Sequence, residues 1–375
     1  MHVHKTPLYH THVQLGAKMV NFSGWMLPLW YPTGQLQEHH ATRKACGLFD
    51  ICHMGEFEIT GNGAKSYLSH ILTNHVDRID DGQAQYNFML NESGGIIDDC
   101  ILYRLNEERW MMVVNAANTH KDWNWLKIHA PGNVVLENIS HQTVKIDLQG
   151  PKSPRLLSKW IDRELLGSLK FFRAASYIYI EHIPVMISRT GYTGEIGFEL
   201  YTDVGNGVHL WNLLLKEGKG DGLLPCGLGA RDTLRIEAGL PLHGHELRPD
   251  CTGLGHPWEF VFDWEKSFIG KEALLKAKNE GLKRFVAPFQ LTGRRKAMPG
   301  WDVFCDGNVV GKVISAVLSP TLGNVPIGFV ESSQQLSAGS KIECRQVGRD
   351  LFVSGNICEM PFVPLTARKQ IADFF

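Results

Sequence analysis

Two adjacent carboxylates interrupt an apolar run, Ile96-Ile97-Asp98-Asp99-Cys100-Ile101-Leu102-Tyr103, that follows a Gly94-Gly95 turn. A carboxylate set among apolar residues is costly unless it has a partner or a task, and the task within its reach is holding positive charge or accepting a proton. Paired glycines suit a turn, and the run after them favours a strand. Glu107-Glu108 offers a second turn into another strand, Trp110 to Asn115. Side chains on a strand alternate between faces, so Asp98 and Asp99 are expected to serve different spots. The even face (Ile96, Asp98, Cys100, Leu102, Arg104) carries a second charge, whereas the odd face (Ile97, Asp99, Ile101, Tyr103, Leu105) is apolar apart from Asp99. Two readings of Asp99 stay open: a turn cap or Arg partner, and a residue that does chemistry.

Further candidates lie downstream. Ile187 to Leu200 is dense in glycine, so the backbone there must turn sharply or approach something closely, and it re-enters a strand that carries Glu199 among apolar residues. Cys226 to Gly239 reads as a helix whose first turn holds Arg231 and Asp232, either for a ligand or as a structural pair with Asp98. Asn115 could cap the helix expected over Ala116 to His129, and Tyr86 could equally be core. Gly61-Asn62-Gly63 half-resembles a phosphate loop but lacks the third glycine and the Gly-Lys-Ser/Thr ending, which leaves a plain strand–turn–helix connection. His39-His40 and His243-Gly-His245-Glu246 lack the spacing that puts two ligands on one helical face, so no metal is expected.

The elements that must position these residues read as α+β. Trp25 to Pro32 looks like a packed aromatic loop, Glu38 to Cys46 like a helix stopped by Gly47, and Met54 to Thr60 like a strand. Asp81 to Leu90 is a strand, and Ser153 to Leu165, Val208 to Lys216 and the stretch opened by Phe268-Ile-Gly-Lys271 are helices. Beyond that come short strands with turns at Gly293, Asp306-Gly307, Gly323, Gly339 and Gly355, spaced as in a small barrel or sandwich. The chain of 375 residues, 43% hydrophobic and 21% charged, has room for two or three domains. Its 38 Lys+Arg against 39 Asp+Glu advertise neither nucleic acid nor an anionic membrane, and no apolar run approaches the roughly 20 residues a bilayer needs. Eight scattered cysteines without a Cys-x-x-Cys pair read as reduced thiols, and the N-terminus has neither a signal-peptide core nor a transit-peptide bias, so a cytoplasmic protein is expected.

Taken together, Thr6-Pro-Leu-Tyr9, Leu15-Gly-Ala-Lys-Met-Val20, Phe49-Asp-Ile-Cys-His-Met-Gly55, Met89 to Asp99, Val113-Val-Asn-Ala-Ala-Asn118, Gln149-Gly-Pro151, Ser188-Arg-Thr-Gly-Tyr-Thr-Gly194, Cys226 to Arg235 and Ser319-Pro-Thr-Leu-Gly323 resemble, in order, the aminomethyltransferase family, the T-protein of the glycine cleavage system. The resemblance implies a three-domain, cloverleaf-like arrangement around a central site for tetrahydrofolate, closed by a C-terminal β-barrel or sandwich. It places a folate-binding domain over 1–50 with 140–250, a second over 51–139 that carries the Asp pair, a linker over 251–285 and the barrel over 286–375. The implied reaction moves the aminomethyl carbon from the lipoyl arm of the carrier H-protein to tetrahydrofolate, releasing ammonia and giving 5,10-methylene-tetrahydrofolate. By the same resemblance Asp99 is catalytic, and Glu199, Arg231, Asn115, Tyr86 and Met54 contact folate, with Glu199 reading the pterin edge.

The sequence departs from the family's pattern between His245 and Phe268, where Cys251-Thr-Gly-Leu-Gly-His-Pro-Trp258-Glu-Phe-Val-Phe262-Asp-Trp264 brings in bulky aromatics. Ile314-Ser315-Ala316 also replaces the usual Thr-Ser-Gly, and the C-terminal basic residue is displaced to Arg368. These changes admit an alternative, a tetrahydrofolate-dependent methyl or one-carbon transferase (a demethylase) acting on a small methylated donor, with the aromatics walling its pocket or serving simply as core. A non-catalytic folate-binding iron–sulfur assembly protein would carry a Lys-Gly-Cys-Tyr-x-Gly-Gln-Glu motif, which is missing here.

Overall fold

The apolar run around the Asp pair does form a strand, and it is the long strand of a five-stranded sheet. In this computed structural model, which describes residues 3–375, Ile96–Asn106 lies antiparallel between Gln83–Leu90 and Arg109–Val114. Gly55–Thr60 and Val135–Asn138 complete the sheet. The preceding turn is tied by Asn91, whose Oδ1 accepts the N–H groups of Ser93 at 3.0 Å and Gly95 at 2.9 Å. One face of the sheet is covered by the helices Ala64–Ile71 and Thr119–His129, with Tyr67, Leu68, Ile71 and Leu126 packed against Phe57, Leu102, Met112 and Val114.

A second, six-stranded sheet runs Ala174–Ile180, Ile183–Ser188, Gly197–Asp203, Thr143–Gln149, Cys46–Asp50, Leu223–Cys226, with only the last pair parallel. The alternation in Thr143–Gln149 sorts it cleanly. Val144, Ile146 and Leu148 enter the core beneath the helix Gly207–Gly218, which leaves Lys145, Asp147 and Gln149 on the other face. The C-terminal strands close into a six-stranded barrel, Phe285–Leu291 through Phe352–Ile357, as their turn spacing predicted, except that Gly355 lies inside the last strand, paired with Leu291 and Ile342, and the turn before it holds Gly348 instead. The architecture is thus mixed α+β in three parts, with a small three-stranded sheet of His4–Lys5, Trp25–Trp30 and Lys18–Phe22 added at the N-terminus.

Several local expectations change. Trp25–Trp30 is a strand rather than a loop, because it pairs with Lys18–Phe22 on one side and His4–Lys5 on the other. Pro28 is tolerated beside the irregularity at Lys18/Met19. Gly47 does not stop the helix Gln35–Lys44 but lies inside the next strand, where a Cβ would stand 2.2 Å from Thr42 Oγ1. The expected helix from Ser153 splits into Ser153–Leu157 and Arg163–Ser168. The helix after Asn115 begins only at Thr119, so Asn118 and not Asn115 precedes it.

The segment 251–268 is a wedge of core. Cys251, Leu254, Trp258, Val261, Phe262 and Phe268 are buried with Phe88, Leu90 and Ile96 of the five-stranded sheet and with Val317, Ile327 and Phe329 of the barrel. Gly95 lies under the chain that leads into this segment, and a Cβ on it would meet the Pro249 carbonyl oxygen at 2.0 Å. Backbone cannot retreat as a side-chain tip can, so Gly95→Ala is expected to destabilise the protein by about 2–3 kcal/mol. Urea unfolding would read this, and an unchanged midpoint would show that the two segments do not meet so closely.

Candidate functional site

The three parts of the fold enclose a cavity of about 730 Å³. Its lining includes all six residues singled out from the sequence: Met54, Tyr86, Asp99, Asn115, Glu199 and Arg231.

Asp99 is half-buried and fixed from two sides. Its Oδ2 accepts the Tyr86 hydroxyl at 2.9 Å and its Oδ1 accepts Asn115 Nδ2 at 2.8 Å. Tyr86 reaches it diagonally across the strand pair, since Asp99 stands opposite Phe88. Asp98 is fully buried and takes the Asn115 backbone N–H at 2.9 Å, Asn115 Nδ2 at 2.9 Å and Asn118 Nδ2 at 2.6 Å. The two carboxylates therefore do converge on one group, contrary to the strict alternation expected of them. The physical reason is the end of the ladder. Regular pairing stops at Val114, and Asn115, just past it, carries an amide long enough to serve both. Neither Arg231 nor Asp232 pairs with Asp98; Arg231 faces Asp147 and Asp232 faces Arg235.

Two more groups hold this corner. Lys121 Nζ donates to Asn118 Oδ1 at 2.9 Å and to the Ile97 carbonyl at 2.7 Å. His243 Nδ1 sits 2.9 Å from Asn118 Nδ2 and its Nε2 lies 3.3 Å from the Ile96 carbonyl, a pattern that assigns the proton to Nε2. Burial and the neighbouring Asp98 push the Asp99 carboxyl up to about 7. An acid poised near neutrality can be ionised or protonated as a reaction requires.

The second corner is built by the six-stranded sheet. Glu199 and Asp147 stand opposite each other on neighbouring strands. Glu199 Oε2 is reached by the hydroxyls of Thr190 at 2.6 Å and of Tyr103 and Tyr201 at 3.1 Å each, and its Oε1 lies 3.3 Å from Lys145 Nζ. Burial alone would raise this carboxyl, but Lys145 and the hydroxyl donors outweigh it and hold Glu199 below the ordinary range. Asp147 accepts Gln149 Nε2 at 2.6 Å and faces Arg231 Nη1 at 3.4 Å; burial and Glu199 push it up to about 7. Arg231 also stacks over the Tyr192 ring at 4.6 Å, which holds its planar fork toward the cavity.

Sequence reading missed Lys145, Asp147, Tyr103, Thr190, Tyr201, Tyr192 and His243 in this site. A signal for two of them was present: the alternation Lys145, Asp147, Gln149 against Val144, Ile146, Leu148 put charge on one face of a strand. Among the changed aromatics, Trp258 and exposed Phe260 line the cavity, whereas Phe262 and Trp264 pack in the core segment. Arg368 also lines it. Among the described residues, one trio has metal-ligating proximity, Glu181, His182 and His209; it is exposed and none of its members lines the cavity.

Comparison with known proteins gives a consistent picture. Residues 8–266 match the family model described as the GCVT N-terminal domain. The aminomethyltransferase of Shouchella clausii is 42% identical over 365 residues, covering 96% of this chain and 98% of the relative. That of Halothermothrix orenii is 41% identical over 364 residues, covering 96% and 99%. Among solved structures, the glycine cleavage system aminomethyltransferase T from Bartonella henselae superposes with a TM-score of 0.89 at 31% identity, covering 98% of this chain and 100% of that one.

Behind the Asp98 corner lies Asp122, fully buried, with no donor to either carboxyl oxygen among the described residues and with the Asp98 carboxylate placed to take its proton. Burial and the charge of Asp98 push it up to about 11. Unfolded, this group titrates at about 4, so between the two values the folded chain holds one more proton and stability falls as pH rises. Asp122→Asn, neutral and of similar shape, is expected to raise stability at pH 8 by more than about 1 kcal/mol and to flatten that decline. Denaturant midpoints at pH 5 and pH 8 for the two proteins would show it; a variant less stable than wild type at both would mean that the carboxylate is ionised and paired.

Proposed function

The chain belongs to the aminomethyltransferase family, the T-protein of the glycine cleavage system, and on that premise we propose that its cavity seats tetrahydrofolate with Asp99 at the reacting nitrogens. It is an aminomethyltransferase, a one-carbon transferase of glycine breakdown. The observation that carries the finer reading is that Asp99 with Tyr86 and Asn115, and Glu199 with Arg231, line one cavity. A folate joins a polar pterin ring to an acidic tail, and the lining suits it. Glu199 supplies a charged acceptor for the pterin's N–H edge, Arg231 a planar donor fork, and Met54, Tyr86 and Phe172 the apolar faces that pack a flat ring.

Tetrahydrofolate supplies, when bound, the nitrogen nucleophiles that take up the carbon. The chain's own share is positional and electrostatic. Ionised Asp99 stabilises the positive charge that develops next to it and accepts a proton at a carboxylate oxygen, while Asn115 and Tyr86 hold that carboxylate in one orientation by their hydrogen bonds. Asp98, its own oxygens filled by Asn115 and Asn118, keeps Asn115 from turning away. The donor in this reading is the aminomethyl group on the lipoyl arm of an H-protein. A small methylated donor is not favoured, because relatives named aminomethyltransferase align over nearly the whole chain and Phe262 and Trp264 of the changed segment serve as core.

Ammonia release from aminomethylated lipoyl carrier protein, with and without tetrahydrofolate, tests the whole reading; folate-dependent release is expected. Since Asp99 works ionised and titrates near 7, turnover should rise with pH up to about that value and level off above it. Asp99→Asn should lower turnover by about 10²–10⁴-fold with the melting temperature nearly kept. Turnover like the wild type in this variant would remove Asp99 from the mechanism.

A further inference from the structure

The two oxygens of Glu199 meet different surroundings. Oε2 is closed in by three hydroxyls, Thr190 at 2.6 Å and Tyr103 and Tyr201 at 3.1 Å each, which leave its lone pairs little to offer. Oε1 has one neighbour, Lys145 Nζ at 3.3 Å. That ammonium is itself under-used. Lys145 is 1% exposed, and among the described residues its Nζ meets, beyond Glu199, only the Met54 sulfur at 3.7 Å and the Tyr201 ring at 5.2 Å, although an ammonium has three N–H groups to give. Both side chains line the cavity. What the cavity offers at this point is therefore one open acceptor beside one open donor, 3.3 Å apart.

The chemical group that matches such a pair is a ring lactam, in which an N–H and a C=O stand on adjacent atoms. The pterin ring carries one. We infer that Lys145 and Glu199 read the lactam edge of the pterin together, Glu199 Oε1 taking the ring N–H and Lys145 Nζ donating to the ring carbonyl. This rests on the folate reading given above and changes it in one respect: Glu199 does not read the pterin edge alone, and the carbonyl becomes a recognised feature. An amino group in place of that carbonyl would set a donor against the ammonium, and because the neighbouring ring nitrogen then carries no hydrogen it would also set an acceptor against Glu199, so the part of the preference owed to Lys145 is the part that a Lys145 variant removes. Lys145 is free for this task because the other charges nearby are accounted for. Arg231 faces Asp147, and the buried Glu56 carboxyl, whose Oε1 has no partner among the described residues, is pushed up to about 8 by burial and so stays neutral at pH 7.

Calorimetric titration of the full-length protein with tetrahydrofolate and with its 4-amino-4-deoxy analogue tests this. The wild type should prefer the oxo ring by roughly tenfold or more, and Lys145→Met should cut that preference by roughly tenfold, the worth of one hydrogen bond from a charged donor. Lys145→Arg keeps a charged donor and should retain it. Lys145→Gln, whose amide can still donate to Glu199 and so spares the fold, should cut the preference as Met does, because an amide can turn either end to the ring. A lysine that is only a counter-ion for Glu199 would, on removal, weaken both rings alike; an unchanged ratio in the Met and Gln variants therefore overturns the inference while folate binding by the wild type stands. Wild-type protein that binds neither ring would overturn the folate reading itself.

Discussion

A carboxylate sealed from water at the head of the long strand governs this structure. Asp98 cannot exist there without donors, and the fold supplies them from the residues just beyond the next strand, Asn115 and Asn118. Everything at that corner follows from the need. The strand Arg109–Val114 must end where it does, the helix must wait until Thr119, and Lys121 and His243 must lock Asn118 in turn. Asp99 inherits its place from this network, because the amide that satisfies Asp98 is the one that fixes Asp99. The same closeness of two carboxylates, added to burial, lifts Asp99 into the neutral range. Structural demand and chemical capacity thus share one asparagine.

The other corner solves the opposite problem. Lys145, Asp147, Glu199 and Arg231 bring two cations and two carboxylates into one poorly hydrated space. A buried pair of this kind gives little net stability, since desolvation offsets attraction. Its value here is orientation: hydroxyls close one oxygen of Glu199, and a cation stands beside the other. The apolar side of the strand Thr143–Gln149, anchored in the core, holds these groups on the cavity side.

Between the corners, Glu237 joins elements that do not otherwise share a sheet. It ends the helix Leu228–Glu237 and accepts from Ser319 Oγ at 2.6 Å and Thr321 Oγ1 at 2.7 Å of the barrel, and from Arg43 of the helix Gln35–Lys44 at 2.8 Å. Burial would raise it, yet hydrogen bonding and charge from His39 and Arg43, with Ser319, hold it down to about 2. The aromatic wedge of 251–268 closes the same junction by apolar packing. The two devices, one polar and one apolar, fix how the barrel meets the sheets and so shape the cavity wall.

By itself the sequence determined the elements with strong local signals. The long strand after Gly94-Gly95 and all but one of the late barrel's glycine turns were legible, because periodicity and turn chemistry are written residue by residue, while the candidates Asp99, Glu199, Arg231, Asn115, Tyr86 and Met54 came together through ordered motifs that resemble a family. Only the tertiary structure decided who meets whom. That Trp25–Trp30 is a strand depends on partners on both sides of it. That Arg231 faces Asp147 depends on a helix approaching a strand more than eighty residues away in sequence. That Asp98 and Asp99 share Asn115 depends on where a ladder ends. Hydrogen bonds and charge pairs of this kind are set by distance in space, and distance in space is the quantity that local pattern leaves undetermined.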